Sequence, residues 1–292
     1  MGTARQTGLT AEQKSFYQTN GYIVVKGLLS REEAAVYRAE CHQLAERLAK
    51  LRNVDATWGS AKGMAAETKL LHCHDVQFYS AAFSRLIVDE RVASVAQGII
   101  GPNVQLHHTK MFIKPPEKGS PFPLHQDKPF FPHDNDSMIA AIFHFDDAPL
   151  EKGCLCVVPG SHKKDLPHEK EGNWHLSPKD YPLSMATPLP AEAGDVVFFS
   201  YRTIHGSGVN VSNEARTTML LQMRDPADPM TVRTHESRGQ GMMLAGIDPS
   251  CCTTKPRSEA KEEAPAMGAM GNAMAVGAMG GGAMSGGAMG GR

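Results

Sequence analysis

Val104-Gln-Leu-His-His-Thr-Lys-Met-Phe-Ile113 is the first of several short runs rich in β-formers. Met138–Phe145, Cys154–Val158, Asp195–Phe199 and Thr217–Met223 follow, with Gly, Pro and Asn turn residues between them. Strands of this length and spacing suit a sandwich or jelly roll, because a βαβ sheet would interleave them with long helical patterns. No Gly-x-Gly-x-x-Gly or Walker sequence stands where a nucleotide-binding α/β fold needs one. The expected fold class is mainly β.

Upstream the texture is helical. Thr10-Ala-Glu-Gln13 has the capping-box pattern and predicts a short helix through Phe16. Asn20-Gly21 marks a turn into Tyr22–Val25, a short β-rich run. Ser30-Arg-Glu-Glu33 opens a second helix towards Leu51, and one further helix is expected within Phe83–Ile100, ending near Gly101-Pro102. At the other end, 24 of the 29 residues from Ala264 to Arg292 are Met, Gly or Ala. Such a segment lacks a periodic apolar face and is expected to be disordered. Charged and Pro-containing residues just before it read as its linker. The chain therefore divides into one domain over 10–245 and a linker with a Gly/Ala/Met-rich tail over 246–292.

Composition narrows the function classes. The 292 residues are 41% hydrophobic, enough for a substantial core. With 30 basic and 31 acidic side chains the net charge is -1, which gives no electrostatic case for nucleic acid or an anionic membrane surface. No run approaches the roughly 20 apolar residues of a membrane span, and Met1–Lys14 is polar where a signal peptide needs an apolar core. The six cysteines (41, 73, 154, 156, 251 and 252) show no paired zinc-type spacing and read as reduced thiols. The expected location is the cytoplasm. The alternative is the peroxisome, although the chain ends Gly-Gly-Arg292 without an SKL-type signal.

The chemistry gathers at Pro123-Leu-His-Gln-Asp127. On an extended strand, His125 and Asp127 leave the same face. His205 follows a second strand, Gly194–Ser200, and supplies a distal imidazole. A His-x-Asp pair and a distal His is the sequence form of the two-histidine, one-carboxylate facial triad. That set holds Fe(II) on one face and leaves the other positions open. Arg216 lies eleven residues beyond His205, across turn residues 210–213. A hairpin there would return it beside the metal, where its planar fork suits the far carboxylate of 2-oxoglutarate.

The motifs Pro123–Asp127, Gly153-Cys-Leu155, Val158–Lys163, Gly194–Phe199, Ile204-His-Gly-Ser-Gly208 and Arg216 occur in an order that resembles the phytanoyl-CoA dioxygenases. Phe16–Val25, Gly101–Asn103 and Lys114-Pro-Pro116 add to the likeness, which covers roughly residues 14–235. The resemblance implies a double-stranded β-helix of the jelly-roll or cupin type. It also implies an Fe(II)/2-oxoglutarate dioxygenase that hydroxylates an aliphatic C–H and releases succinate and CO₂. Iron would be held by His125, Asp127 and His205, with Arg216 and Ser207 on 2-oxoglutarate. Gln126, Lys110 and, across a loop, Lys69 would stand near the cosubstrate, and ascorbate would serve as reductant. Ile142 stands where the family has a Trp, which removes an aromatic wall. Asp127 argues against a halogenase, which would carry a small residue there. The resemblance favours an acyl-CoA substrate hydroxylated at C2, beside O₂. The alternatives are the same chemistry on an amino-acid derivative or secondary metabolite, and a catalytically silent cupin-like binding protein.

Other clusters carry weaker expectations. His72-Cys73-His74 could offer two imidazoles to a metal. Cys154 and Cys156 should be small core residues. His133 and His144 read as ordinary surface and core histidines rather than as lining of the site mouth. His162 and Lys163 are candidate contacts to an anionic substrate at its entrance. The sequence does not set the oligomeric state.

Overall fold

A computed structural model describes residues 8–49, 70–117, 119–171, 173–232, 234–235 and 237–252. The expectations for Lys69 and for the tail beyond residue 252 lie outside the described residues. Helix α1 (Ala11–Asn20) leads into strand β1 (Tyr22–Val25) and helix α2 (Arg31–Ala49), and strand β2 (Leu71–His74) follows. Helices α3 (Ala81–Ile87) and α4 (Glu90–Ile100) precede β3 (Val104–Lys114), β4 (Phe122–His125), β5 (Ile139–His144) and β6 (Leu155–Val157). A small hairpin, β7 (Glu169–Glu171) with β8 (Asn173–His175), comes next. The remaining strands are β9 (Thr187–Leu189), β10 (Val196–Ser200), β11 (His205–Ser207), β12 (Arg216–Arg224) and β13 (Met243–Ala245).

Local chemistry sets the helix ends. Both capping-box hydrogen bonds form: the Gln13 amide donates to Thr10 Oγ1 at 3.2 Å, and the Thr10 amide to Gln13 Oε1 at 2.9 Å. The helix runs beyond the expected Phe16 to Asn20, where Gly21 takes the left-handed conformation that stops it. Ser30 and Glu33 make the same reciprocal pair at α2. The single helix expected within Phe83–Ile100 is two, broken at Val88–Asp89, where the Asp89 side chain accepts from the Arg91 amide and caps α4. Asp89 offered that signal inside an apolar run whose period masked it.

The strands form two facing sheets. The larger runs β1-β10-β5-β12-β3, with β13 and β2 both pairing the outer side of β3, and the smaller runs β4-β11-β6-β9. These antiparallel sheets make a jelly roll of the double-stranded β-helix type. Alternation along the large sheet divides its side chains between two layers. Met219, Leu221 and Met223 of β12, with Ala141, Phe143, Val196 and Phe198, pack outward against Leu44, Phe83, Leu86 and Val92 of the helices. The intervening residues face the smaller sheet: Ala140, Val197, Phe199 and Leu220 join Leu155 and Val157 in a separate apolar layer. Burying one such Phe or Leu side chain stabilises the fold by about 1.5–3 kcal/mol. Strand β12 is covered on both faces, so it is buried almost throughout and reads as continuous rather than alternating. Among the described residues, no helix is long and apolar enough to cross a membrane.

Candidate active site

The inward face of the large sheet carries the polar residues. The pairing of β3 and β12 sets Lys114 opposite Arg216, Phe112 opposite Thr218, Lys110 opposite Leu220 and His108 opposite Gln222. On the outer sides, β5 puts His144 opposite Thr218 and Ile142 opposite Leu220, while β2 puts His74 opposite Lys110. All of these except Lys114 form the floor of a cavity of about 260 Å³, whose roof is built by β4 and β11.

The roof brings the expected triad together. β4 pairs β11 with His125 directly opposite His205, and their ring centroids are 4.2 Å apart. The extended strand expected through Asp127 in fact ends at His125. Asp127 has helical backbone angles and starts a 3₁₀ turn at Lys128-Pro129, so the carboxylate swings back towards the two rings. The Asp127 amide donates to the Tyr201 carbonyl at 2.7 Å, which fixes that turn. Asp127 Oδ1 lies 3.6 Å from His125 Nε2 and 3.8 Å from His205 Nε2. Gly206 allows the close approach of β11 to β4, since a Cβ there would fall 2.6 Å from the Phe122 carbonyl oxygen.

These donors fit a metal ion. The ligand atoms of all three residues lie within 4.8 Å of one another, and among the described residues no other His, Cys, Asp or Glu group is so placed. Two donors at about 2.1 Å from one ion stand no more than about 4.2 Å apart, and both His–Asp separations fall inside that limit. Nδ1 of His125 donates to the Pro123 carbonyl at 2.8 Å, and Nδ1 of His205 to the Thr203 carbonyl at 3.0 Å. The two carbonyls therefore select the tautomer that leaves the lone pair on Nε2, facing Asp127. Burial pushes the His205 imidazole down to about 4, so it is neutral at pH 7 and able to ligate. Burial would raise the Asp127 carboxyl, but His205, His125 and Lys110 together hold it below its ordinary value.

Gln222 is a residue the sequence reading passed over. Its amide Nε2 donates to Asp127 Oδ2 at 2.6 Å, which turns Oδ1 towards the histidines. Replacing Gln222 by Leu should weaken iron binding about 10- to 100-fold, the usual cost of losing a group that orients a ligand. A chelator-competition titration reads this directly, and an unchanged affinity would show that the amide does not orient the carboxylate.

Arg216 reaches the cavity by a route other than the expected hairpin. It belongs to the large sheet and His205 to the small one, and the two meet across the interior. One guanidinium nitrogen donates to the Gly153 carbonyl, while Nε is buried without a partner. Among the described residues no carboxylate pairs with Arg216, and burial lowers it to about 10. Lys114, its strand partner, donates to Ser207 Oγ at 2.7 Å and to the Gly208 carbonyl at 2.6 Å. Burial and the neighbouring Arg216 push that ammonium well below its ordinary value. This end of the cavity is thus basic and buried and, among the described residues, Arg216 has no acid partner, which suits a carboxylate brought by a ligand.

The other expected residues divide. Lys110, Ile142 and Ser207 line the cavity. Gln126 does not: its amide nitrogen donates to the carbonyls of Lys164 and Arg202, and its oxygen accepts from the Leu166 amide, so it ties the loops behind the site. His144, expected to be ordinary core, lines the cavity, whereas His133 is buried beside His107 and does not. His72 and His74 do share one face, at 5.3 Å between ring centroids, but form no metal-holding group. His162 and Lys163 also stand away from the cavity, and His162 instead bonds the Gln18 carbonyl. Cys154 and Cys156 sit in an apolar cluster as expected, and Cys41, Cys73, Cys154 and Cys156 are free thiols.

Known proteins resemble this chain in sequence and fold. The family profile described as phytanoyl-CoA dioxygenase matches residues 17–218. The peroxisomal phytanoyl-CoA dioxygenase of Bos taurus is 30% identical over 239 residues, covering 76% of this chain and 71% of the bovine one. A probable alpha-ketoglutarate-dependent hypophosphite dioxygenase of Stutzerimonas stutzeri is 29% identical, covering 72% of this chain and 77% of its own. Among solved structures, the epimerase SnoN in complex with Fe3+, alpha ketoglutarate and nogalamycin RO superposes with a TM-score of 0.62. It is 25% identical, over 81% of this chain and 96% of that one. The profile runs from α1 to the start of β12 and so takes in the triad and Arg216, and this chain belongs to the phytanoyl-CoA dioxygenase family.

Proposed function

We propose that this Fe(II)/2-oxoglutarate-dependent dioxygenase hydroxylates an aliphatic C–H bond of a small organic substrate. The observation that carries the reading is the buried Arg216, a guanidinium without an acid partner, in the same cavity as the His125–Asp127–His205 cluster. One end of the cavity is shaped for a metal and the other for a carboxylate, which together describe a dicarboxylate that also reaches the metal.

In this assignment His125, Asp127 and His205 hold iron, with Gln222 and the carbonyls of Pro123 and Thr203 orienting them. Arg216 takes the far carboxylate of 2-oxoglutarate, and Ser207, held by Lys114, presents its hydroxyl beside it. When bound, iron and 2-oxoglutarate use O₂ to give succinate and CO₂ from the cosubstrate and to place one oxygen atom in the substrate C–H bond. The apolar wall of Ile142, Leu155, Phe199 and Leu220 keeps water from the reacting centre.

The phytanoyl-CoA relatives support an acyl-CoA as substrate. A second reading, a metabolite without CoA, is favoured by the polar lining beyond the metal, where Lys110, His74, His108 and His235 face the cavity. The test is succinate release with Fe(II), ascorbate and 2-oxoglutarate, with acyl-CoAs and small free acids as candidate substrates. A true substrate raises succinate above the uncoupled rate and gains one oxygen by mass. No succinate from iron-loaded protein would favour the binding-protein reading instead.

A further inference from the structure

Away from Arg216, the cavity has a second basic end. Lys110 projects from β3 into the cavity, and among the described residues it forms no hydrogen bond and no ion pair. Four residues of strand separate it from Lys114, the partner of Arg216. At about 3.3 Å per residue that is roughly 13 Å along the sheet. Around it stand His74, its cross-strand neighbour, His108, two residues earlier on the same face, and His235, whose ring lies 5.3 Å from His74 and 4.4 Å from His108.

These imidazoles are neutral and under-used. Burial pushes His74 to about 3 and His235 to about 4, and drives His108 well below its ordinary value. Nε2 of His108 and Nε2 of His235 are buried without a partner. They cannot hold a metal in this arrangement, since among the described residues only the triad brings three ligand atoms together. They can give hydrogen bonds to an oxygen-rich group.

Charge balance indicates what that group is. With iron and 2-oxoglutarate in place, the divalent ion and Arg216 offset Asp127 and the two carboxylates of the cosubstrate. Lys114 is already engaged by the Ser207 hydroxyl and the Gly208 carbonyl. Lys110 is then the cation without an ion-pair partner among the described residues, with Asp75 acting on it only from beyond ion-pair distance, and a buried cation is costly unless a ligand supplies an anion. The cavity, about 260 Å³, is smaller than the roughly 300–1,000 Å³ of sites for drug-sized ligands. It must also accommodate the cosubstrate, so the second ligand is small.

We propose that Lys110, with His74, His108 and His235, is the subsite for the primary substrate, and that this substrate carries an oxyanion, a carboxylate or a phosphorus oxyacid, next to the carbon that is hydroxylated. The proposal rests on the dioxygenase reading above. It assigns Lys110 to the substrate, whereas the family resemblance would place it near 2-oxoglutarate.

Anaerobic calorimetry on the Fe(II)-loaded protein tests it. 2-Oxoglutarate is titrated first. Propionate, methylphosphonate, hypophosphite and the uncharged propionamide are then titrated into the loaded complex. At least one oxyanion should bind more than tenfold tighter than propionamide, and Lys110→Met should lose that preference by a factor of about ten or more while 2-oxoglutarate affinity stays within twofold. Lys110→Arg should recover part of it. Failure of 2-oxoglutarate to bind the wild-type protein would overturn the dioxygenase reading itself. With 2-oxoglutarate bound, failure of all three oxyanions, equal binding of propionate and propionamide, or an undiminished preference in Lys110→Met would overturn the anion subsite alone. A tenfold loss of 2-oxoglutarate affinity in Lys110→Met would return the residue to the cosubstrate.

Discussion

Asp127→Ala should abolish iron-dependent succinate formation, leaving only the background seen without protein. The carboxylate is the sole anion of the triad, and it stands between the two imidazoles. Without it, two histidines on adjacent strands remain, which hold a divalent ion weakly and leave its charge unbalanced in a buried site. The variant also leaves the Gln222 amide without its acceptor, at a cost of about 1–3 kcal/mol. Iron content after dialysis and a thermal melt separate the two effects: the metal should be lost while a cooperative transition persists. Iron retained at wild-type stoichiometry would remove Asp127 from the ligand set.

Arg216→Leu should act on the other cofactor. A charge-assisted hydrogen-bonded pair is worth about 1.5–3 kcal/mol, so the KM for 2-oxoglutarate should rise roughly 10- to 100-fold while bound iron stays unchanged. Arg216→Lys should not restore it fully, because a point ammonium cannot offer the planar fork. Free of ligand, the Leu variant should be no less stable than the wild type. The native guanidinium is buried without an acid, and removing an uncompensated buried charge relieves a desolvation penalty. A KM for 2-oxoglutarate that does not move would show that the carboxylate lies elsewhere.

Much of this architecture was legible before any coordinates. The capping pairs Thr10/Gln13 and Ser30/Glu33, the strand Tyr22–Val25 and the five β-rich runs all formed, because each is signalled by residue types within one short stretch, even where the strand's partner lies far away. The candidate ligands were legible for a different reason: their residue types are rare together, and two of them lie two positions apart. The failures were failures of distance. Nothing near Arg216 in the sequence says that it joins the sheet opposite His205, so a hairpin was the simpler expectation. Gln126 lies between two candidate ligands, yet the turn at Asp127 directs its side chain backwards into the loops.

Gln222 and His108 were passed over, and His144 was read as core, although a usable signal existed. Once Arg216 is placed on the inner face, alternation along Arg216–Arg224 puts Thr218, Leu220 and Gln222 there too, and strand pairing does the same for His108 and His144. Short runs such as β2, β9, β11 and β13, of three or four residues each, carry too little period to be seen without their partners.

The central claim is that one cavity holds a metal at the triad and a dicarboxylate between that metal and Arg216. The most direct measurement is the anaerobic affinity of 2-oxoglutarate for four species: the wild-type protein with and without Fe(II), and Arg216→Leu with and without Fe(II). If the account is right, affinity falls sharply when either iron or Arg216 is removed, and iron no longer confers tight binding once Arg216 is gone. If 2-oxoglutarate binds equally well without iron, or equally well without Arg216, the two halves of the site do not share a ligand and the account is wrong.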